Sequence, residues 1–259
     1  PLPPSPPMPP SAPADAPIAV YQYRPVHAGQ PYCTVHGCGE RCCDRCATHG
    51  NHTHALFLHT PKTGGSSIEC AAQGLQRRGL WTNMGHVTNV SHTQHCLDRC
   101  IVRTVRPWIV LTVRNPYHWH ASLYRFAFAG LAGCKTRLNF EHYVDGYVAR
   151  PPPKSHGAMW ARGHVHTQTF AITQACGWPC HYDFLLHTET LEADWAALVR
   201  ATGLPVAATL PVVNEARDPR GTPPPIRFTI HVLAVVNLTE ASIFDSFGYS
   251  RRTEPFTYA

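Results

Sequence analysis

The sequence predicts an α/β fold with a central, mainly parallel sheet flanked by helices. Three observations predict it. Short apolar runs alternate with longer stretches of helical spacing; two of those runs, about fifty residues apart, pass through a turn straight into a helix; and no internal repeat is present.

In chain order, Ala55 to Leu58 is the first apolar run, Pro61, Gly64 and Gly65 form the turn after it, and a helical pattern begins near Ser66. Ile68 to Gly79 keeps helical spacing and ends on Arg77, Arg78 and Gly79, cations and a glycine suited to a helix C-terminus. Ile109 to Val113 is a β-branched run that ends at Arg114, and Pro116 suits the first turn of a following helix. Tyr117 to Phe128 is helical and aromatic-rich, its rings expected in the core. Thr136 to Ala149 is expected to be another helix, stopped by Pro151, Pro152 and Pro153. Phe184 to His187 reads as a late strand, and Leu191 to Thr202 as an amphipathic helix stopped at Gly203, Leu204 and Pro205.

Both turns have the chemistry of an anion site. Gly64 and Gly65 let the backbone bend so that successive N–H groups face one hollow, where the dipole of the next helix favours negative charge. Lys62 adds a mobile charge, and Thr63, Ser66 and Ser67 add hydroxyl donors. Because the lysine precedes the glycines, the G-x-x-x-x-G-K-[ST] order of a nucleoside triphosphatase loop is absent. In the second turn Arg114 and Ser122 can converge on another phosphate, one through a planar fork and one through a hydroxyl. Two anion sites imply one nucleotide carrying two phosphate groups.

These residues resemble the sulfotransferases that use 3′-phosphoadenosine 5′-phosphosulfate, and especially the Golgi carbohydrate sulfotransferases of the heparan and chondroitin type. His59 to Ser67 is similar to their 5′-phosphosulfate loop. Val113-Arg114-Asn115-Pro116-Tyr117 with Ser122-Leu123-Tyr124-Arg125-Phe126 is similar to their 3′-phosphate motif, with the same step from Arg114 to Ser122. Weaker matches follow in family order at His164 to Gln168, Tyr182 to Phe184, Glu189 to Asp194 and Asp245 to Tyr249, so the likeness runs over roughly residues 54 to 250. It implies a P-loop-like three-layer fold. It also implies that Lys62 stabilises charge on the departing phosphate, that Thr63, Gly64, Gly65, Ser66 and Ser67 hold the 5′-phosphate, and that Arg114 and Ser122 hold the 3′-phosphate. The donor would leave as 3′,5′-adenosine bisphosphate, and the acceptor would be a hydroxyl of a glycan or glycoprotein. Sulfuryl transfer asks a protein for in-line placement, donors aimed at the leaving group and a base for the hydroxyl proton.

Gly85-His86-Val87 resembles the histidine version of that base in related enzymes. His92 and His95 are near rivals in a chain of 18 histidines, and an imidazole has an unperturbed pKa suited to the task.

Three segments organise the chain. Residues 1–32 are expected to form a Pro-rich stem or linker, residues 33–53 a Cys/His-rich segment, and residues 54–259 the domain that resembles the sulfotransferases. At 259 residues and 44% hydrophobic, the chain can bury a sizeable core without the first segment, whose proline and small residues cannot pack into one. No apolar stretch is long enough to span a bilayer, and the chain starts at Pro1 without an initiator methionine. What the resemblance to Golgi sulfotransferases implies is a membrane anchor upstream of Pro1, as in type II Golgi proteins, and a Golgi-lumenal or secreted domain. Eleven cysteines exceed what a cytosolic enzyme carries, which agrees with an oxidising compartment, as do sequons at Asn51, Asn89 and Asn237. Cys33, Cys38, Cys42, Cys43 and Cys46 cluster near His36 and His49; disulfides, zinc and free thiols all remain open for them, and no metal is assigned to the catalytic site.

The net charge of +6 favours an anionic partner, and nucleic acid is not expected to be one. Arg150, Lys154, Arg162, Arg217, Arg220 and Arg227 fall in Pro- or Gly-rich stretches expected to be loops, where they either hold an acidic glycan or stay solvated. Competing functions are sulfation of protein tyrosine or a small molecule, a P-loop nucleotide kinase or hydrolase, and a zinc- or glycan-binding module. A kinase should place its lysine after the glycines and an acidic magnesium ligand after the second strand, where this chain has Arg114.

Overall fold

The computed structural model describes residues 34–36, 39–41, 55–86, 108–127, 139–149, 167–176, 179–211 and 225–258. A hairpin of β1 (Thr34–His36) and β2 (Gly39–Arg41) precedes the main body. There follow β3 (Ala55–His59), α1 (Gly65–Ala71), α2 (Gln73–Arg77), β4 (Trp81–His86), β5 (Trp108–Val113), α3 (Pro116–Ala127) and α4 (Phe140–Tyr143), which widens into a π-helical turn at Val144–Val148. The chain continues through α5 (Gln168–Cys176), β6 (Phe184–His187), α6 (Leu191–Thr202), β7 (Ile226–Phe228), α7 (Ile230–Thr239), α8 (Ala241–Phe247) and β8 (Phe256–Tyr258).

Four strands form one parallel sheet in the order β4-β3-β5-β6, flanked by helices. Every residue of β3 is buried, as expected for a central strand covered on both faces. Its side chains alternate. Leu56 and Leu58, with Leu111 and Val113, pack against Ile172 of α5 and Ile243 and Phe247 of α8. Ala55 and Phe57, with Val110 and Leu186, pack against Ile68, Ala72 and Leu75 around α1 and α2 and against Trp195 and Leu198 of α6. A third apolar cluster joins α3, α4 and α7 to the antiparallel β7–β8 pair through Tyr117, Trp119, Phe140, Tyr143, Phe228 and Val232.

Several expectations change in detail. The single helix expected from Ile68 to Gly79 is two helices with Ala72 between them, and Leu80 returns its N–H to Leu75 to turn the chain into β4. The helix expected from Thr136 starts at Phe140, where the Asn139 side chain accepts the His142 N–H at 2.8 Å and sets the cap; residues 136–138 lie outside the described residues. Arg227 is not in a loop but in β7, exposed and paired in register with Thr257. The strand β4 and the helices α5, α7 and α8 carry no period that sequence patterning detects. β4 mixes polar and apolar residues at a sheet edge, while α7 is almost wholly apolar and owes its start to Thr229, whose hydroxyl accepts the Val232 N–H.

Cys176 and Cys180 form a disulfide between the end of α5 and the approach to β6, and Cys70 is also disulfide-bonded. The Pro-rich segment, all five cysteines of the cluster and the rivals His92 and His95 lie outside the described residues. So do Asn51, Asn89, Arg150, Lys154, Arg162, Arg217 and Arg220. Among the described residues, no single helix is long and apolar enough to cross a membrane.

Candidate functional site

Parallel pairing of β3 with β5 brings the ends of both sequence motifs to one edge of the sheet. β3 runs out at His59 into the Lys62 loop, and β5 runs out at Val113 into Arg114. They meet directly: Arg114 Nη1 donates to the Lys62 carbonyl oxygen at 3.1 Å.

The loop is tightly held. Lys62 has φ 63°, a left-handed conformation that costs a side-chain-bearing residue about 1–2 kcal/mol. Surrounding bonds enforce it. Trp119 of α3 donates its indole N–H to the Pro61 carbonyl at 2.6 Å, and the Thr63 hydroxyl donates to the Thr60 carbonyl at 2.6 Å. A strained residue held this firmly at a strand end is typical of a functional loop. Gly64 has φ 78° and faces Leu191, whose Cδ2 would lie 2.6 Å from an added Cβ. Gly65 lies against the buried His59 ring, which hydrogen-bonds Glu69 through Nδ1 at 2.8 Å; an added Cβ would overlap that ring.

A Gly65→Ala variant is therefore expected to displace His59 or the loop. We expect a loss of about 1–3 kcal/mol in denaturant unfolding, as for overpacking of a core, whereas Gly74→Ala, at an exposed helical position with open space, should not destabilise.

Lys62 is only half-buried, yet burial, aided by the nearby Arg114 charge, lowers its pKa from 10.5 to about 8. Its Nζ lies 4.3 Å from the centroid of the Phe126 ring, so the ammonium rests on an aromatic face of α3. The role expected for the Thr63 hydroxyl needs correction. That hydroxyl is fully buried, donates to Thr60 and so must accept from the Thr112 hydroxyl 2.6 Å away. Its contribution to an anion site is limited to the main-chain N–H. Ser66 and Ser67 are half-buried in the first turn of α1.

Arg114 is positioned from its backbone. Gln168 accepts its N–H and donates to its carbonyl, both at 2.8 Å, so one side-chain amide brackets the residue. The Nε of Arg114 is buried without a hydrogen-bond partner, a donor left for a ligand. Gln168 is held in turn by Glu240, a fully buried carboxylate. Glu240 accepts the Gln168 N–H at 2.6 Å, the Thr169 N–H at 2.8 Å and hydroxyl at 2.7 Å, and His120 Nε2 at 3.1 Å. His120 Nδ1 meets the Tyr143 hydroxyl at 3.1 Å, and burial, with the Glu240 charge, raises the pKa of that phenol well above its ordinary value.

A second carboxylate latches the Arg114 turn. Glu189 accepts the Asn115 N–H at 2.8 Å and the Tyr249 hydroxyl at 3.0 Å, with His118 Nδ1 at 3.6 Å. Burial pulls its pKa up, but these bonds together outweigh burial and hold the carboxyl below its ordinary value. Burial and the Glu189 charge raise the Tyr249 phenol. Asn115 also caps α3, its side chain accepting the Tyr117 N–H at 3.1 Å. Ser122, half-buried, stands farther along the same helix.

His86 is the last residue of β4 and is paired in register with His59. Across the sheet edge the order is therefore His86, the Lys62 loop and Arg114. Sequence reasoning assigned no role to Gln168, Glu189, Glu240 or Tyr249. Three of these fall in or beside stretches noted for their order along the chain, but a positioning bond between distant segments leaves no local signal. The sequon at Asn237 is occupied structurally: its carbonyl oxygen accepts from the Tyr117 hydroxyl at 2.5 Å and its Nδ2 donates to the Arg252 carbonyl at 2.9 Å. Among the described residues, no group of three His, Cys, Asp or Glu side chains could hold a metal ion. No family model, curated protein or solved structure matches this chain.

Proposed function

We propose that the protein is a sulfotransferase with a P-loop-like three-layer fold. It takes the sulfuryl group from 3′-phosphoadenosine 5′-phosphosulfate and passes it to a hydroxyl of a glycan or glycoprotein in the Golgi lumen or outside the cell. The observation that carries this is the meeting of Arg114 with the Lys62 loop on adjacent parallel strands. Two cations and a run of loop amides then address one elongated donor that is anionic at both ends.

In this mechanism the loop amides from Thr63 to Ser67 and the Ser66 and Ser67 hydroxyls hold the 5′-phosphate. Arg114 holds the 3′-phosphate with its unpartnered Nε, and Ser122 assists. As the S–O bond to the 5′-phosphate breaks, Lys62 meets the charge gathering on the leaving oxygen. The acceptor hydroxyl attacks sulfur from the opposite side, and His86 takes its proton. Sheet order supports this division. With strands about 4.8 Å apart, His86 and Arg114 flank the loop two spacings from each other, the acceptor side on one hand and the nucleoside side on the other.

The kinase alternative is disfavoured by the same geometry. The Thr63 and Thr112 hydroxyls are spent on each other, and the second strand leads into Arg114 where a kinase would carry an acidic magnesium ligand. Calorimetry should show 3′,5′-adenosine bisphosphate binding more tightly than ATP, and a screen of glycan acceptors with labelled donor should reveal transfer. His86→Ala should abolish that transfer with nucleotide affinity near normal. A preference for ATP would overturn the proposal, and unchanged turnover in His86→Ala would remove that residue from it.

A further inference from the structure

The carboxyl edge of the sheet continues past Arg114 to β6, whose last residue, His187, pairs in register with Val113. Its ring is fixed from two sides. Nδ1 lies 3.3 Å from Asp194 Oδ2, the oxygen that also accepts the His187 N–H at 2.7 Å and the Thr190 hydroxyl at 2.9 Å. Tyr249 packs against the ring in a T-shaped contact, with centroids 5.8 Å apart, and donates its hydroxyl to Glu189, which latches the Arg114 turn.

These contacts settle the tautomer. Burial pulls the Asp194 carboxyl up, but the bonds from His187 and Thr190 outweigh it and hold the group below its ordinary value, so it is an anion at neutral pH and can only accept. The neutral imidazole therefore carries its hydrogen on Nδ1 and presents Nε2 as an acceptor. No described residue bonds to Nε2, and with the side chain 33% exposed that acceptor is open to a ligand.

A nucleoside bisphosphate carries its two phosphates and its base on separate carbons of the ribose. With one phosphate at the Lys62 loop after β3 and the other at Arg114 after β5, the strand left on the nucleoside side is β6, one spacing of about 4.8 Å beyond β5. Adenine presents an N–H donor at its 6-position, whereas guanine presents an oxygen acceptor there. An acceptor such as Nε2 pairs with the first and repels the second.

We propose that His187 reads the base of the donor nucleotide, its Nε2 accepting the 6-amino group of adenine, so that this site selects adenine over guanine. This rests on the sulfotransferase reading above. Asp194 is the positioning residue, because it keeps the hydrogen on Nδ1.

The test is calorimetry of the full chain with 3′,5′-adenosine bisphosphate, 3′,5′-guanosine bisphosphate and 5′-AMP. Wild type should bind the adenosine bisphosphate about 10- to 100-fold more tightly than the guanosine compound, which would set one acceptor against another. His187→Phe, which keeps a ring and loses the acceptor, should level the two by weakening the adenosine bisphosphate. His187→Gln can turn either end of its amide to the base and should level them by strengthening the guanosine compound, which preserves the comparison if the Phe variant does not fold. Asp194→Ala should shrink the ratio between the bases, a readout that general loss of structure, weakening both compounds alike, does not move. A wild type that prefers the bisphosphate to 5′-AMP without distinguishing the bases, or His187 variants that keep the full base preference, overturns this assignment alone. A wild type indifferent to the 3′-phosphate overturns it together with the reading beneath it.

Discussion

If the protein acts as proposed, replacing Lys62 with alanine is expected to lower the rate of sulfuryl transfer by about 10²- to 10³-fold, the cost of removing one donor aimed at a developing charge. Stability should not fall with it. Burial and Arg114 hold the Lys62 pKa at about 8, against 10.5 for an ordinary lysine, so the folded state binds this proton less tightly than the unfolded chain. The resulting penalty is present in full below about pH 8, shrinks as the pH rises, and is gone above 10.5. Stability from this group therefore increases across that interval in wild type and is flat in the variant.

Ligand binding carries the opposite sign. A bound phosphate favours the charged ammonium and raises its pKa, so under the proposed function bisphosphate affinity is expected to be greatest below about pH 8 and to decline above it. The limiting slope is about tenfold per pH unit. Titration calorimetry from pH 7 to 10 checks this directly, with Lys62→Ala expected to lose the slope. A wild-type affinity that does not change over this range would show that Lys62 does not face the anion.

Replacing Glu240 with alanine is expected to be the most destabilising single change. It strands the first amides of α5, the Thr169 hydroxyl and the buried His120 without their acceptor, for a loss of about 3–5 kcal/mol. Against a typical domain stability of about 5–15 kcal/mol, that is a third or more of the total. Urea unfolding should show a lower midpoint at unchanged slope. Glu240→Gln, which keeps the shape but turns an amide N–H₂ toward donors, should lose less. Bisphosphate affinity should also drop in both variants, because Glu240 holds Gln168 and Gln168 brackets Arg114. An Ala variant within about 0.5 kcal/mol of wild type would show that the network is not a support for the site.

The signals legible in the chain were those that act over short range. Ala55 to Leu58 and Ile109 to Val113 read as buried strands because both faces of a central parallel strand are covered, which leaves an unbroken apolar run. Pro116 and Gly203 marked helix ends because they act through their own backbone angles, and Pro116 does open α3 while Gly203, at φ 65°, closes α6. β4 escaped notice for the converse reason. An edge strand of mixed polarity, Trp81 to His86, has no alternation, and it is defined by pairing with β3 alone.

By itself, then, the amino-acid order determined the α/β class, the two strand-to-helix turns and the residue types standing in them, since periodicity, glycine freedom and proline geometry are properties of neighbours. Only the tertiary structure decided that the Arg114 guanidinium touches the Lys62 loop, that the Thr63 hydroxyl faces inward, and that Gln168, Glu189 and Glu240 brace the turn from 54, 74 and 72 residues away along the respective bonded pairs. Hydrogen bonds and charge contacts depend on distance in space, and separations of that length along a chain carry no local trace of it.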